Sequence, residues 1–270
     1  VSPLGFGAFK IGRNEGIKYD HGYALPEDDE AFALVRSVVD LGITLIDTAP
    51  AYGASEARVG RGLALLPRER TASIVVSTKV GETFDGGRST YDFSPAAIER
   101  SIERSHERLA APLGRDRLDL VFVHSPGDRA DRAETDLVRG EAFTTLARLR
   151  NEGLVRAIGF SGKSPAAALA AIELGYDALM VELHPLDTSH AEVVDRAGTA
   201  GVGVLVKKPL ASGRIPPAEA LPFILAKRAV AACVVGSLSA HHLAECLSIA
   251  QRAVANRTTS SDHDASGAPT

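Results

Sequence analysis

The stretch Leu118-Asp119-Leu120-Val121-Phe122-Val123-His124, taken with residues 137–151 and 155–160 behind it, decides the fold. The first run is a compact apolar block without regular alternation, which is how a strand covered on both faces reads. Residues 137–151 carry apolar positions at helical spacing and stop at Gly153, and residues 155–160 are a second apolar run. Strand, helix and strand in this order predict a parallel β–α–β unit. Outward from it, the same unit recurs roughly every 30 residues. Candidate strands cover 4–8, 44–47, 73–79, 118–124, 155–160, 178–182, 203–206 and 232–236. Candidate helices cover 27–41, which Gly42 stops, then a segment capped by Ser94 with Pro95 in its first turn, and then 137–151, 165–174 and 240–254. Eight such units predict a (β/α)8 TIM barrel of the α/β class, a single domain over residues 1–257. The alternative is an open doubly wound sheet with a Gly-rich dinucleotide loop after its first strand. Gly5-Phe6-Gly7-Ala8-Phe9-Lys10 lacks the third glycine of G-x-G-x-x-G and leads into no helix.

Composition narrows the function. With 270 residues, 45% hydrophobic and 24% charged, the chain is long enough to bury a sizeable core. A net charge of −4 leaves no broad basic field for nucleic acid. No apolar stretch approaches the ~18 residues of a membrane span. Cys233 and Cys246 show no C-x-x-C spacing and make no disulfide framework, which predicts a reducing, cytoplasmic setting. Residues 11–26, with Tyr19, His21 and Tyr23, and the Gly/Ser/Thr-rich 81–93 are expected as loops over the barrel mouth. Residues 258–270 carry almost nothing apolar and are expected as a disordered tail.

In a barrel of this kind, function sits at the C-terminal ends of the strands. Asp47 ends the second candidate strand, Lys79 the third and His124 the fourth, and Tyr52 lies in the turn after the second. A free phenol titrates near about 10 and needs help to exchange protons at neutral pH. An ammonium beside it lowers that value, and a buried ammonium needs a carboxylate. Lys79 and Asp47 are those two groups for Tyr52, and His124 can hydrogen-bond a substrate oxygen beside the phenol. Four complementary side chains at one mouth outweigh the plainer reading of each as a structural strand end. They make a proton-transfer site for a carbonyl or alcohol oxygen.

The run Asp47-Thr48-Ala49-Pro50-Ala51-Tyr52-Gly53-Ala54-Ser55-Glu56 resembles the D-T-A-x-x-Y-G-x-S-E signature of the aldo-keto reductases. Ser77-Thr78-Lys79 looks like that family's lysine strand and Leu118–His124 like its histidine strand. The resemblance extends from Leu4 to about Val254 and lacks only an early hairpin, as in a chain truncated at its start. It implies nicotinamide-dependent interconversion of an aldehyde or ketone, including sugars, with its alcohol. Tyr52 is then the proton donor, tuned by Lys79 and Asp47, with His124 orienting the oxygen. NADP(H) is the implied cofactor and NAD(H) the alternative. Its implied contacts are Gly7, Ala8, Ser161, Gly162, Lys207, Pro209, Leu210, Gly213, Gly236, Ser237, His242 and Glu245, with no metal.

Five positions depart from the family pattern. Gly162 stands where Asn is usual, Met180 where Gln is usual, Lys207 where an aromatic ring is usual, His242 where Arg is usual and Cys246 where Asn is usual. Methionine is a poor hydrogen-bonding partner for a carboxamide. These departures keep open a regulatory or interaction subunit that binds nicotinamide with little turnover. An aldolase using Lys79 as a Schiff base is a second rival. Among other residues, Glu182, His184 and His124 lack metal-site spacing. His106 reads as packed, and His241-His242 as a capping or phosphate-facing pair. Phe9, Tyr19, Tyr23, Phe84 and Tyr91 are candidates to line a substrate pocket.

Overall fold

The computed structural model describes residues 1–17, 22–126 and 131–264. Its strands are β1 (Leu4–Gly7), β2 (Leu45–Asp47), β3 (Val75–Val80), β4 (Glu82–Asp85), β5 (Arg88–Tyr91), β6 (Leu118–His124), β7 (Val155–Ser161), β8 (Ala178–Glu182), β9 (Gly203–Lys207) and β10 (Val230–Val235). Its helices are α1 (Asp28–Asp40), α2 (Ser55–Ala64), α3 (Arg68–Thr71), α4 (Pro95–Ser105), α5 (Asp131–Val138), α6 (Glu141–Asn151), α7 (Pro165–Leu174), α8 (Ala191–Ala200), α9 (Pro217–Leu225) and α10 (Ala240–Asp264). Among the described residues, eight parallel strands close in the order β1-β10-β9-β8-β7-β6-β3-β2. This is the (β/α)8 barrel expected. The barrel lumen is filled by Leu45, Leu120, Phe122, Ala178, Met180, Leu205, Ala232 and Val234. A much larger apolar layer lies between the strands and the surrounding helices. No described helix is long and apolar enough to cross a membrane.

Three expectations change. Residues 81–93 are not an irregular loop: β4 and β5 pair antiparallel across Gly86-Gly87, both at positive φ. Two consecutive glycines supply the backbone that a two-residue hairpin turn requires. The helix expected over 137–151 is two, α5 and α6, parted at Gly140, whose extended backbone starts α6. The last helix runs on to Asp264, into the residues expected as a disordered tail. Extending a formed helix fixes one residue per hydrogen bond, which costs far less than nucleating one, so a polar sequence can follow it.

The signature run is also a structural joint. Thr48 donates to Ser55 Oγ at 2.8 Å, and Ser55 donates to the Ala8 carbonyl at 2.7 Å, tying β2, α2 and β1 together. Glu56 is fully buried in α2. Its carboxylate accepts from Thr78 in β3 at 2.7 Å, from Ser105 at the end of α4 at 2.8 Å, and from Arg108 at 3.2 Å. Arg108 lies in a single π-helical turn, His106–Ala110. There α2 comes so close that a Cβ on Gly60 would stand 1.8 Å from the Arg108 carbonyl oxygen.

Candidate active site

The expected four side chains meet at one mouth of the barrel. Lys79 Nζ donates to both oxygens of Asp47, at 2.8 and 2.7 Å, and to the Thr48 carbonyl at 2.8 Å. Ser77 donates to the same carboxylate at 2.7 Å. Both charged groups are almost fully buried, 2% and 6% exposed. Burial alone would pull the ammonium down, but Asp47 and Tyr52 hold it above its ordinary value. The ammonium is therefore charged at neutral pH. Lys79 is thus committed to Asp47, which argues against a Schiff-base role for it.

Tyr52 lies in a short turn after β2, with Lys79 Nζ 4.8 Å from its ring centre. Phe9 packs edge-on against it at 4.9 Å, and the His124 ring stands edge-on at 6.2 Å. Burial pushes the phenol upward, Lys79 draws it down by charge and hydrogen bond, Asp47 raises it again, and the balance is upward. The expected net lowering is not found. The carboxylate bonded to the same ammonium cancels much of its field at the phenol, and burial disfavours a phenolate. Tyr52 at neutral pH is an acid carrying its proton.

Sequence reasoning missed the partner of His124. Its Nδ1 lies 2.8 Å from Oε2 of Glu82, the first residue of β4, at an angle off that of a well-formed hydrogen bond. Burial holds His124 below the usual imidazole value, against the raising effect of Glu82. Burial would raise Glu82, but His124, Ser89 and Arg13 outweigh it and bring it to about 2. At neutral pH the pair is a neutral imidazole facing a carboxylate. Arg13, also unforeseen, stacks on the Phe84 ring at 3.2 Å. Gly86-Gly87 between Glu82–Asp85 and Arg88–Tyr91 was the hairpin signal that would have placed Glu82 here.

These groups line a cleft of about 540 Å³. Of the implied cofactor contacts, Gly7, Ser161, Lys207, Pro209, Leu210, Gly213, Gly236, Ser237 and His242 line it, whereas Ala8, Gly162 and Glu245 do not. Ala8 is buried beneath β1 and Ser55. Glu245 is exposed, 3.7 Å from His241 on the same helix face, so His241 faces this acid. Phe9 and Tyr91 line the cleft, while Tyr23 and Phe84 do not. Tyr23 instead donates to the Arg13 carbonyl. Tyr19 and His21 lie outside the described residues. Glu182 is taken up by His184 at 3.3 Å and Lys208 at 2.7 Å. Among the described residues no three His, Cys, Asp or Glu side chains are placed to hold a metal.

The departures at the far wall are linked. Glu134, buried in α5, accepts from Ser125 and from the backbone N–H groups of Lys163 and Ser164 at the start of α7. A Cβ on Gly162 would lie 2.5 Å from Phe160 and 2.9 Å from Glu134. Glycine at 162 makes room for that carboxylate, which sequence reasoning also missed. Lys207 Nζ reaches across to Ser161 Oγ at 3.2 Å and the Gly162 carbonyl at 2.8 Å. The backbone then turns through positive φ at Lys208, Ala211 and Ser212. In a chain of net charge −4, the cleft carries Lys10, Arg13, Lys79, Lys163, Lys207 and Lys208 against Asp47 and Glu82. Such a donor set suits a polyanionic ligand.

A family model described as the aldo/keto reductase family matches residues 3–221. A D-threo-aldose 1-dehydrogenase from a Pseudomonas species is 34% identical over 204 residues, covering 67% of this chain and 56% of its own. L-galactose dehydrogenase of Arabidopsis thaliana is 31% identical over 226 residues, covering 79% and 63%. The chain thus spans less than two thirds of the length of these curated relatives. A solved Pseudomonas aeruginosa chain assigned as an aldo-keto reductase is 39% identical with a TM-score of 0.80, over 94% of this chain and 91% of that one. The holo form of a Bacillus halodurans aldo-keto reductase shares the fold, with a TM-score of 0.72 at 23% identity over 95% and 92%.

Proposed function

This chain belongs to the aldo/keto reductase family, and from that premise we propose that it is a nicotinamide-dependent oxidoreductase interconverting an aldehyde or ketone with its alcohol. The observation that carries the proposal is the convergence of Tyr52, the Lys79–Asp47 pair and His124 on one cleft. When bound, the nicotinamide supplies hydride exchange with the carbonyl carbon. Tyr52 holds the proton for the carbonyl oxygen. Lys79, fixed by Asp47, stabilises the phenolate left after transfer. Neutral His124, its Nδ1 steadied by the Glu82 carboxylate, presents an accepting Nε2 that orients the hydroxyl of the alcohol. Ser161, Lys207, Gly213, Ser237 and His242 are the residues that would hold the dinucleotide. The cationic wall favours NADP(H), with NAD(H) the alternative. The sugar dehydrogenases among the relatives make an aldose the first substrate class to test.

The test is dinucleotide oxidation with a panel of aldehydes and aldoses, and its reversal with the alcohols. Tyr52→Phe is expected to lower kcat by about 10²–10⁴-fold, the usual worth of positioned proton transfer, while dinucleotide affinity persists. Unchanged turnover in that variant refutes Tyr52 as proton donor. A nicotinamide-binding subunit with little turnover is the second reading, favoured by Lys207 occupying Ser161 and the Gly162 carbonyl. A single-turnover measurement with a reactive aldehyde separates the two: binding without oxidation of the dinucleotide supports the subunit.

A further inference from the structure

Lys207 ends β9 inside the cleft, and the mechanism above gives its amine no chemical step. Among the described residues no carboxylate lies within ion-pair distance of it. The two acids on this side are already engaged. Glu182 is taken by Lys208 and His184, and Glu134 by Ser125 and two backbone N–H groups. Nζ is held instead by two neutral oxygens, Ser161 Oγ and the Gly162 carbonyl, which fix its position without supplying a counter-charge. Lys208, at positive φ, carries its own amine to Glu182 at 2.7 Å.

We propose that Lys207 is a nucleophilic amine that captures an aldehyde bearing an anionic group, as a reversible imine, inside the cleft. The Nζ lone pair adds to the carbonyl carbon. The C=O π pair moves to oxygen, which takes a proton, giving a carbinolamine. Loss of that oxygen as water leaves C=N. One amine and one aldehyde give one imine and one water, with no change of oxidation state. The cationic wall supplies the preference for an anionic aldehyde.

The charges around the amine support its availability as a free base. Burial lowers it first, Lys208 and Lys79 lower it further, and Glu182 and Glu134 raise it only in part, leaving it at about 7. His124 and His190 also face it and feel its charge. At neutral pH about half of this amine is unprotonated, against about one part in a few thousand for an ordinary lysine.

The probe is pyridoxal 5′-phosphate, an aldehyde carrying a phosphate, added to the intact protein at neutral pH and fixed with borohydride before peptide mapping. Lys207 is expected to carry at least roughly tenfold more label than any other lysine, with the yield rising through neutrality and levelling off above it. Lys207→Arg is expected to lose that label while keeping the wild-type circular dichroism. If that variant does not fold, the wild-type peptide map alone decides. Unphosphorylated pyridoxal is expected to react at least several-fold more slowly. Label spread over surface lysines, label centred on Lys163 or Lys208, or label retained in a folded Lys207→Arg protein overturns the assignment. Equal rates for the two aldehydes overturn the anionic preference. No dinucleotide is present in the assay, so its outcome is separate from the redox reading.

Discussion

Replacing Asp47 by Asn leaves the Lys79 ammonium buried with neutral acceptors, the Thr48 carbonyl and Tyr52 among them, and no counter-charge, because Asp47 is its sole ion-pair partner among the described residues. Removing one member of a buried pair costs about 3–5 kcal/mol. An unfolding entropy of about 2.1 cal/mol/K per residue, over 270 residues, converts this into a loss of about 5–9 °C in Tm. The pH dependence makes the test specific. In the native protein the Lys79 value is raised, so its contribution is complete below the unfolded lysine value near about 10.4 and fades only as pH climbs through the folded one. In Asp47→Asn burial, the largest influence on the amine, is opposed only by Tyr52, and the folded value falls below the unfolded one. The unfolded chain then binds more protons, so raising pH stabilises the variant. Thermal melts followed by circular dichroism from about pH 6 to about pH 10 are expected to show the gap from wild type narrowing steadily. A constant gap, or none, refutes the view that Asp47 stabilises a charged lysine.

Other perturbations follow from the same geometry. Glu82 is depressed to about 2, so its contribution is full above the ordinary carboxylate value and lost as pH falls toward 2. That span corresponds to about 3 kcal/mol, and Glu82→Gln is expected to flatten the acid limb of the stability curve. An identical acid limb in the variant removes the His124–Glu82 interaction from the account. Gly162→Ala places a methyl 2.5 Å from Phe160 and is expected to cost about 1–3 kcal/mol, read by urea denaturation. Loss of less than the error of that titration means that the wall is softer than described. Glu56→Gln, which weakens a buried three-partner network, is expected to lower the denaturation midpoint without altering the pH profile of turnover. A moved pH profile implicates Glu56 in proton transfer.

The barrel was legible because the parallel strands are buried along most of their length on both sides and so read as short, dominantly apolar runs. Asp47, Lys79 and His124 were legible because each is the polar residue that terminates such a run. Glu82 escaped because it lies past a strand end, in a hairpin whose exposed faces leave Arg88–Tyr91 without a hydrophobic pattern. Glu134 escaped for a different reason. Its role depends on the N-terminus of α7, contributed from some thirty positions downstream. The direction of Tyr52 was misread because the sequence shows neither how completely the phenol is buried nor how closely the carboxylate sits against the ammonium whose field it offsets.

The ten residues from Asp47 to Glu56 perform two unrelated duties. In the proposed reaction the front of the run handles protons; its rear, Ser55 and Glu56, ties α2 to β1, β2, β3 and α4 behind the barrel wall. Selection for a foldable scaffold alone would therefore preserve the rear half in a descendant that had abandoned chemistry altogether. A search pattern that scores the whole run rewards architecture and activity indiscriminately, and a screen for silent relatives is better aimed at Tyr52 and Lys79 than at the length of the match.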